Sequence, residues 1–456
     1  MLKSTRQQIH QHIAQVLETR FPASVEAQPG LTAQHYTAAG CIEQAIPCWQ
    51  RAGERASERS AYLEAISHFT TGLELLTTLP ETLEHTQHAL TLHTALGAAL
   101  GMTKGLAAPE VEHAYTQAYA LCQQVGETLQ LVPGLFGLWR FYQVRPQLHT
   151  ALELGETLLR LAQRAHDPAL AVLAHFALGA TGFFLGTLPA ARMHLEEAIT
   201  RYTPDQRRAL VFRMGQDPGV GCRVYAAFTL WLLGYPAQAL THIQEALGLA
   251  HELSHPFSLA YARCAAAFIF QWRRDVQAVH EHAEAAIMLS TAQGFPYWAA
   301  LGTSMRGWAL AMQGQGEEGM AQARQGIAAG RATGAAVGVS YFCSVLAEVA
   351  AHLGHTEDGL QALAEAHTLV EQHEEHYWEA EVHRLRGVLL LKQPETPQEE
   401  AEACFQQALD VARHQQGEIA GAAGCEEPRA AVAAAGQACR GVRTARTDLR
   451  LVHRGL

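Results

Sequence analysis

A chain of 456 residues with a formal net charge of −11 has no broad basic surface, so nucleic acid is not an expected partner. Its nine cysteines, at 41, 48, 122, 222, 264, 343, 404, 425 and 439, form no C-x-x-C pair and are odd in number; this argues against a disulfide framework and fits a reduced, cytoplasmic compartment. No apolar run reaches about 18 residues and the amphipathic N-terminus lacks the apolar centre of a signal peptide, so neither a membrane span nor export is expected.

Residues 4–21 read as one helix, with Ile9, Ile13, Val16 and Leu17 on a single stripe. A connector carrying Pro22 and Pro29 follows, then a short helix over 33–45; residues 1–45 are thus expected to be linker helices. The first repeat has Trp49, Ala52-Gly53 and Ala56 on one helix and Ala65, Phe69 and Gly72 on the next. A close-contact pair followed by small, large, small at i, i+4 and i+7 is the tetratricopeptide pattern. The small residues let two helices approach and the large one fills the space between them.

The second repeat carries Leu96-Gly97, Leu100, Val111, Tyr115 and Ala118, and the third carries Phe136-Gly137, Ala151, Gly155 and Leu158 around a turn at Arg145-Pro146. The fourth, residues 178–199, shows the pattern most fully: Leu178-Gly179, a turn at Gly186, then Ala191, Leu195 and Ala198. The phase returns in Gly234/Ala239/Ile243/Ala246, Arg274/Val279/Ala283/Ala286, Gly314/Gly319/Ala323/Gly326 and Gly354/Gly359/Leu363/Ala366, with a period of 40. The ninth unit has Arg386-Gly387, Leu390, Ala401, Phe405 and Ala408. Residues 46–415 are therefore expected to form an all-α, tetratricopeptide-like α-solenoid of about nine helix pairs. The wider interval of 48 between Ala198 and Ala246 places an extra loop of about eight residues within 203–221, where solenoid insertions are often functional.

After His414 large apolar residues at helical spacing vanish, and Gly, Ala, Cys and Arg dominate 416–456. One reading is a disordered basic tail. Another is a reading-frame shift near residue 416: moved by one base, the codons from Pro428 onward allow a further helix pair whose turn glycine falls at 436, 28 residues after Ala408. The same interval separates 246 from 274, 286 from 314 and 326 from 354.

Gly314-Gln-Gly316-Glu-Glu-Gly319 matches G-x-G-x-x-G, but a dinucleotide site needs a preceding strand and a βαβ context, whereas 305–312 reads as helix. These glycines suit a turn and close packing. There is no Walker sequence and no H-E-x-x-H. His373, His376 and His383 have helical spacing but no evident fourth ligand, so a solvated helix face is the simpler reading. No catalytic residue, metal or cofactor is expected.

The repeat phase aims a second set of residues at the concave side: Phe141, Tyr142, Phe183, Phe184, Phe228, Trp231, Phe268, Trp272, Trp308 and Glu348, with Phe176, Val224 and His352 beside them. Stacked aromatics of this kind form either an apolar binding track or ordinary core between long helices. Arg140, Arg145, Arg273 and Arg274 lie near the turns, either orienting an anionic ligand or forming a solvated rim.

The segments HYTAAG, QAIPCW, KGLAAPEVEHAY, RMGQDPGV, LLGYPAQAL, ELSHPFSLAYA, GFPYW, RGWALA and GQGEEG carry a resemblance that spans about nine-tenths of the chain. The run from 52 to 415 resembles the C-terminal helical-repeat region of large bacterial signalling ATPases, in which a class III adenylate/guanylate cyclase domain and a signal-transduction ATPase often come first. The resemblance implies a non-catalytic protein-interaction or sensor module, with 2–21 as the helix joining it to the ATPase and Met1 as an internal start. No cyclase or ATPase catalytic residue can be carried over, because no position matches one. Protein or peptide partners are expected first. The alternative is a pocket for a small-molecule effector that regulates an attached cyclase/ATPase; an open groove would favour the former and a closed apolar cavity the latter.

Overall fold

The computed structural model describes residues 3–80, 82–125, 131–203, 215–393 and 397–416. Within them the chain forms 21 α-helices, one 3-10 turn and no strand. Three helices come first: α1 (Lys3–Arg20), α2 (Pro22–Ala27) and α3 (Pro29–Ala39). Nine antiparallel pairs follow: α4 (Ile42–Glu58) with α5 (Tyr62–Leu76), α6 (Leu83–Lys104) with α7 (Pro109–Val125), α8 (Leu131–Val144) with α9 (Leu148–Ala165), α10 (Pro168–Phe184) with α11 (Leu188–Arg201), α12 (Pro218–Leu232) with α13 (Pro236–Glu252), α14 (Pro256–Trp272) with α15 (Val276–Gln293), α16 (Pro296–Met312) with α17 (Gly316–Ala332), α18 (Val339–Leu353) with α19 (Thr356–His373), and α20 (Glu379–Leu390) with α21 (Gln398–His414). The fold is the tetratricopeptide-like solenoid that the period implies.

Local chemistry explains the helix limits. Asp167 caps α10 by accepting from the amides of Ala169 and Leu170, and Asp217 and Asp275 cap α12 and α15 in the same way. Proline opens α10, α11, α12, α13, α14 and α16, where its missing N–H is no loss. The turn positions of five successive repeats, Gly186, Gly234, Arg274, Gly314 and Gly354, all have left-handed φ, between 66° and 91°. Four are glycine, which adopts that region freely; Arg274 is the exception.

Close helix approach is built where the sequence is small. A Cβ at Gly179 would lie 2.6 Å from Leu195, and one at Gly307 would lie 2.5 Å from the backbone nitrogen of Ala323 and 2.6 Å from the carbonyl of Gly319. The G-x-G-x-x-G match resolves accordingly: Gly314 makes the turn, Gly316 opens α17, and Gly319 packs on Gly307 and Ala311.

Several expectations shift. The region around Pro22 and Pro29 is helical rather than a connector, since each proline opens a helix; the expected helix over 33–45 is broken at Gly40 (φ 78°), and Ile42 starts the long α4. Of the expected loop within 203–221, residues 204–214 lie outside the described ones, and Asp217 already caps α12. The frame-shift reading concerns residues beyond Gln416, also outside them.

The superhelix turns back far enough for remote repeats to touch. Ala336 and Val337, between α17 and α18, donate their amides to the carbonyl of Val144 at the end of α8, at 2.9 and 3.1 Å. His149 of α9 lies 2.9 Å from the Glu374 carboxylate, and a Cβ at Gly186 would meet Gln415 and His376 at about 3 Å. The Gln415 amide in turn donates to the His376 carbonyl at 2.6 Å. The third and fourth repeats thereby close against the connectors of the seventh to ninth.

Candidate functional site

This closure frames a partly open cavity of about 100 Å³. Roughly 10–15 Å³ of such space suffices for one water molecule, so there is room for several waters or a ring-sized molecule. Its walls come from the first helices of successive repeats: Trp139, Arg140 and Gln143 from α8, Phe176, Phe183 and Phe184 from α10, Tyr225 and Phe228 from α12, Tyr261, Phe268 and Trp272 from α14, Tyr297, Trp298 and Leu301 from α16, and Tyr341 and Phe342 from α18. Tyr377, in the 3-10 turn His376–Trp378, closes the ring from the far side, 4.6 Å from Phe183 and 5.4 Å from Phe184 between centroids.

The cavity has two ends of different chemistry. At one, Phe183, Phe228, Phe268 and Trp272 pack at centroid distances of 5.3 to 6.0 Å, an apolar aromatic wall. At the other are Arg140, Gln143, Gln216, Tyr261, Tyr297 and Trp298. Arg140 is only 6% exposed, donates to Gln216 Oε1 at 3.0 Å and stands 6.0 Å over the Phe257 ring. Burial lowers its pKa. Burial pushes the Tyr261 hydroxyl far above the usual phenol range, with the neighbouring Tyr225 as the second cause.

Of the ten residues singled out from the sequence, the structure brings five together on the cavity: Phe183, Phe184, Phe228, Phe268 and Trp272. The others are elsewhere. Phe141 is buried edge-on to Tyr142, under the Arg145 guanidinium at 5.4 Å, and Tyr142 reaches Glu112 at 3.5 Å. Trp231 is buried behind Trp272, with 6.2 Å between rings. Trp308 and Glu348 belong to a polar tie between inner helices. Glu348 Oε2 accepts from Trp308 Nε1 at 2.9 Å, Gln271 Nε2 at 3.0 Å and Arg274 Nη1 at 2.7 Å, while Oε1 accepts from Arg274 Nη2 at 2.8 Å. The Tyr341 hydroxyl donates to Gln271 Oε1 at 3.0 Å. An arginine at a left-handed turn position costs roughly 1–2 kcal/mol, and the bidentate pair with Glu348 offsets it.

The arginines near the turns divide as well. Arg145 and Arg273 are exposed and Arg274 is half-exposed in its ion pair, whereas Arg140 is buried on the cavity rather than on a solvated rim.

Sequence reasoning missed Trp139, Tyr225, Tyr261, Tyr297, Trp298, Tyr341 and Tyr377. Some were one helical step away: Tyr225 precedes Phe228 by three, Tyr261 precedes Phe268 by seven and Tyr341 precedes Glu348 by seven, so each lies on the same face. Tyr377 arrives only through superhelical closure, which a local repeat phase does not encode.

The buried Glu375 carboxylate, near the closing turn, accepts from the Gly338 amide and the Ser340 hydroxyl at 3.0 and 3.1 Å. Burial pushes its pKa up to about 8. His376 and His383 flank Glu379 at 2.8 and 3.8 Å, and hydrogen bonding to both holds that carboxyl down at about 2. Among the described residues no group of three His, Cys, Asp or Glu could hold a metal ion, and no helix is long and apolar enough to cross a membrane.

No protein-family model matches the chain. It is similar to an uncharacterized protein of Rhizobium meliloti (strain 1021), 26% identical over 399 residues that make up 85% of this chain. The chain spans 38% of the length of that relative. Among solved structures it is similar to a Rap protein complexed with competence and sporulation factor, with a TM-score of 0.60 and 12% identity over 82% of this chain and 98% of that one. It also matches a signal-transduction ATPase of Pyrococcus horikoshii with a tetratricopeptide repeat sensor, at a TM-score of 0.38 and 11% identity over 77% of this chain and 59% of that one. At such identities the Rap likeness shows the fold alone, a tetratricopeptide-like helical-repeat array.

Proposed function

We propose that the chain is a non-catalytic sensor repeat module of a bacterial cytoplasmic signalling protein. In this reading a small effector seated in the central cavity sets the closure of the superhelix, and thereby the surface offered to a protein or peptide partner. The observation that carries it is the cavity itself: aromatic side chains from six inner helices and the remote Tyr377 converge on one space. A ligand there touches both sides of the closure, so it has differential contacts with closed and open forms, which a population shift requires.

A protein or peptide partner is the other half of the reading. A Rap protein of the same fold is known in complex with a competence and sporulation factor, which makes a ligand-controlled solenoid worth testing here. The finer proposal, that this array belongs to a longer cyclase–ATPase protein, draws support from the sequence resemblance and from a relative much longer than the matched region. Sequencing the gene with its flanks tests it.

The sensor reading is tested by titrating the purified protein with benzene and indole while following tryptophan fluorescence and melting temperature. Saturable binding that raises the melting temperature, with neither ATP hydrolysis nor cyclic-nucleotide formation, is expected. No response to any ring-sized compound, or turnover abolished by a single substitution, would overturn it.

A further inference from the structure

Successive inner helices open in phase until the closure is reached. Helices α14 and α16 start at Pro256 and Pro296, so the next in-phase start is Ala336. Instead α18 starts at Val339, and 333–338 forms a non-helical strap where the connector before α16 is only 294–295. No residue has been inserted, since Gly326 and Ala366 still lie one period apart. The end of the strap, 336–338, is therefore the first turn of α18, unwound. The ninth repeat departs at the same place, with the 3-10 turn His376–Trp378 ahead of Glu379.

The amides of a helix's first turn have no acceptor within the helix. Unwound, those of Ala336 and Val337 reach the Val144 carbonyl of the third repeat, and that of Gly338 reaches the Glu375 carboxylate at 3.0 and 3.2 Å. The strap thus fastens both lips of the closure with groups that winding would take away. Its own hold is slight, because within 333–338 only Ala335 and Val337 are buried. Few buried side chains and bonds made by surface backbone put a segment at the low end of local stability. Val337 and Gly338 line the central cavity, and Ala335 and Val337 line a second recess of about 20 Å³. An occupant of the cavity therefore touches the strap itself. Gly338 stands at φ 76°, ψ 1°, a left-handed conformation that glycine exchanges for the helical one with no side chain in the way.

We propose that 333–338 is a one-turn switch. Unwound, it closes the superhelix; wound onto α18 as far as Ala336, it releases Val144 and Glu375 and opens the cavity wall. This deepens the sensor reading and rests on it only for the occupant: a small molecule in the cavity holds the unwound form through Val337 and Gly338, a contact that the wound form lacks.

The test compares Gly338→Ala with Gly354→Ala in the full chain, a matched pair at the two ends of α18. Both glycines are left-handed, at φ 76° and 80°; an added Cβ meets nothing nearer than 3.7 Å at the first and nothing within 4 Å at the second. Alanine penalises the left-handed form at both positions, but only at 338 does leaving it wind the strap. In Gly338→Ala, hydrogen exchange at Ala336 and Val337 is expected to speed up by about tenfold, with the α-carbon chemical shifts of 336–338 moving toward helical values. Gly354→Ala should leave both readouts unchanged. In the unsubstituted chain, saturating indole should slow exchange at the same two amides severalfold. Equal exchange in the two variants, or faster exchange with the shifts at coil values, would overturn the switch. Indole bound with no change at these amides would overturn its control by an occupant. If indole does not bind while the glycine pair behaves as expected, the effector reading falls and the switch stands.

Discussion

Helices α10 and α11 belong to one repeat and are buried in different ways. Thirteen of the 17 residues of α10 are buried, on every side, whereas α11 buries four of 14, Leu188, Ala191, Leu195 and Ala198. The outer helix leans on its partner with one stripe. The inner helix has its partner on one side, inner helices of neighbouring repeats on two more, and the cavity with the returning turns on the fourth. A periodicity of 3.6 describes a one-sided helix well and gives no orientation for one in contact all round.

The largest expected effect breaks the outer stripe. Leu195 is fully buried and reaches the Cβ-free face of Gly179. Leu195→Ala should cost about 2–5 kcal/mol in denaturant unfolding, whereas Leu63→Ala, on an exposed position of α5, should stay within about 0.5 kcal/mol. Equal effects would mean that the outer helices are not held by a single stripe.

A smaller loss is expected from the tie between inner helices. Glu348→Ala removes an acceptor from three side chains and leaves the buried Trp308 and Gln271 donors unsatisfied. Because Arg274 is half-exposed its charge is partly screened, and about 2–3 kcal/mol is expected rather than the full cost of a broken buried pair. Arg274→Gly should cost less than Glu348→Ala, since it relieves the left-handed backbone as it loses the ion pair.

The pH profile probes the closing turn. Burial lowers His93, His255 and His282 to about 4, so the unfolded chain takes up protons below pH 6.5 that the folded chain refuses, and stability falls as pH drops from 6.5 to about 4. Glu375, raised to about 8, acts in the other direction. Its contribution is complete below about pH 4.5 and is lost as pH rises through 8, at no more than about 1.4 kcal/mol per pH unit for one proton. With three imidazoles outweighing one carboxyl below 6.5, melting temperature should peak near pH 6.5. Glu375→Gln should flatten the decline between 6.5 and 8 and leave the acid limb in place, and an unchanged decline would remove Glu375 as its cause.

The nine pairs were legible because Ala191, Leu195 and Ala198, and their counterparts one period on, face a single neighbour. Some cavity residues were legible from the phase alone: Phe228 and Phe268 each sit six residues before the turn position of their repeat. Glu348 and Trp308 share that offset but meet each other instead of the cavity, because their side chains find polar partners on adjacent inner helices. Tyr261 and Trp298 needed only the extension of a known stripe. Tyr377 and Gln415 could not be found that way, since what places them is the accumulated rotation of repeats, a sum of small inter-pair angles that no single repeat displays.

Hydrogen exchange at Ala336 and Val337 tests that accumulated rotation most directly. These amides lie in the connector between α17 and α18, outside any helix, and donate to the Val144 carbonyl, across the closure, at 2.9 and 3.1 Å. Both amides are expected to be protected well above the level of an open loop, approaching that of the helix ends around them. Exchange at the rate of an unstructured peptide would show that the third and eighth repeats do not meet, and would contradict the closed superhelix and its cavity together.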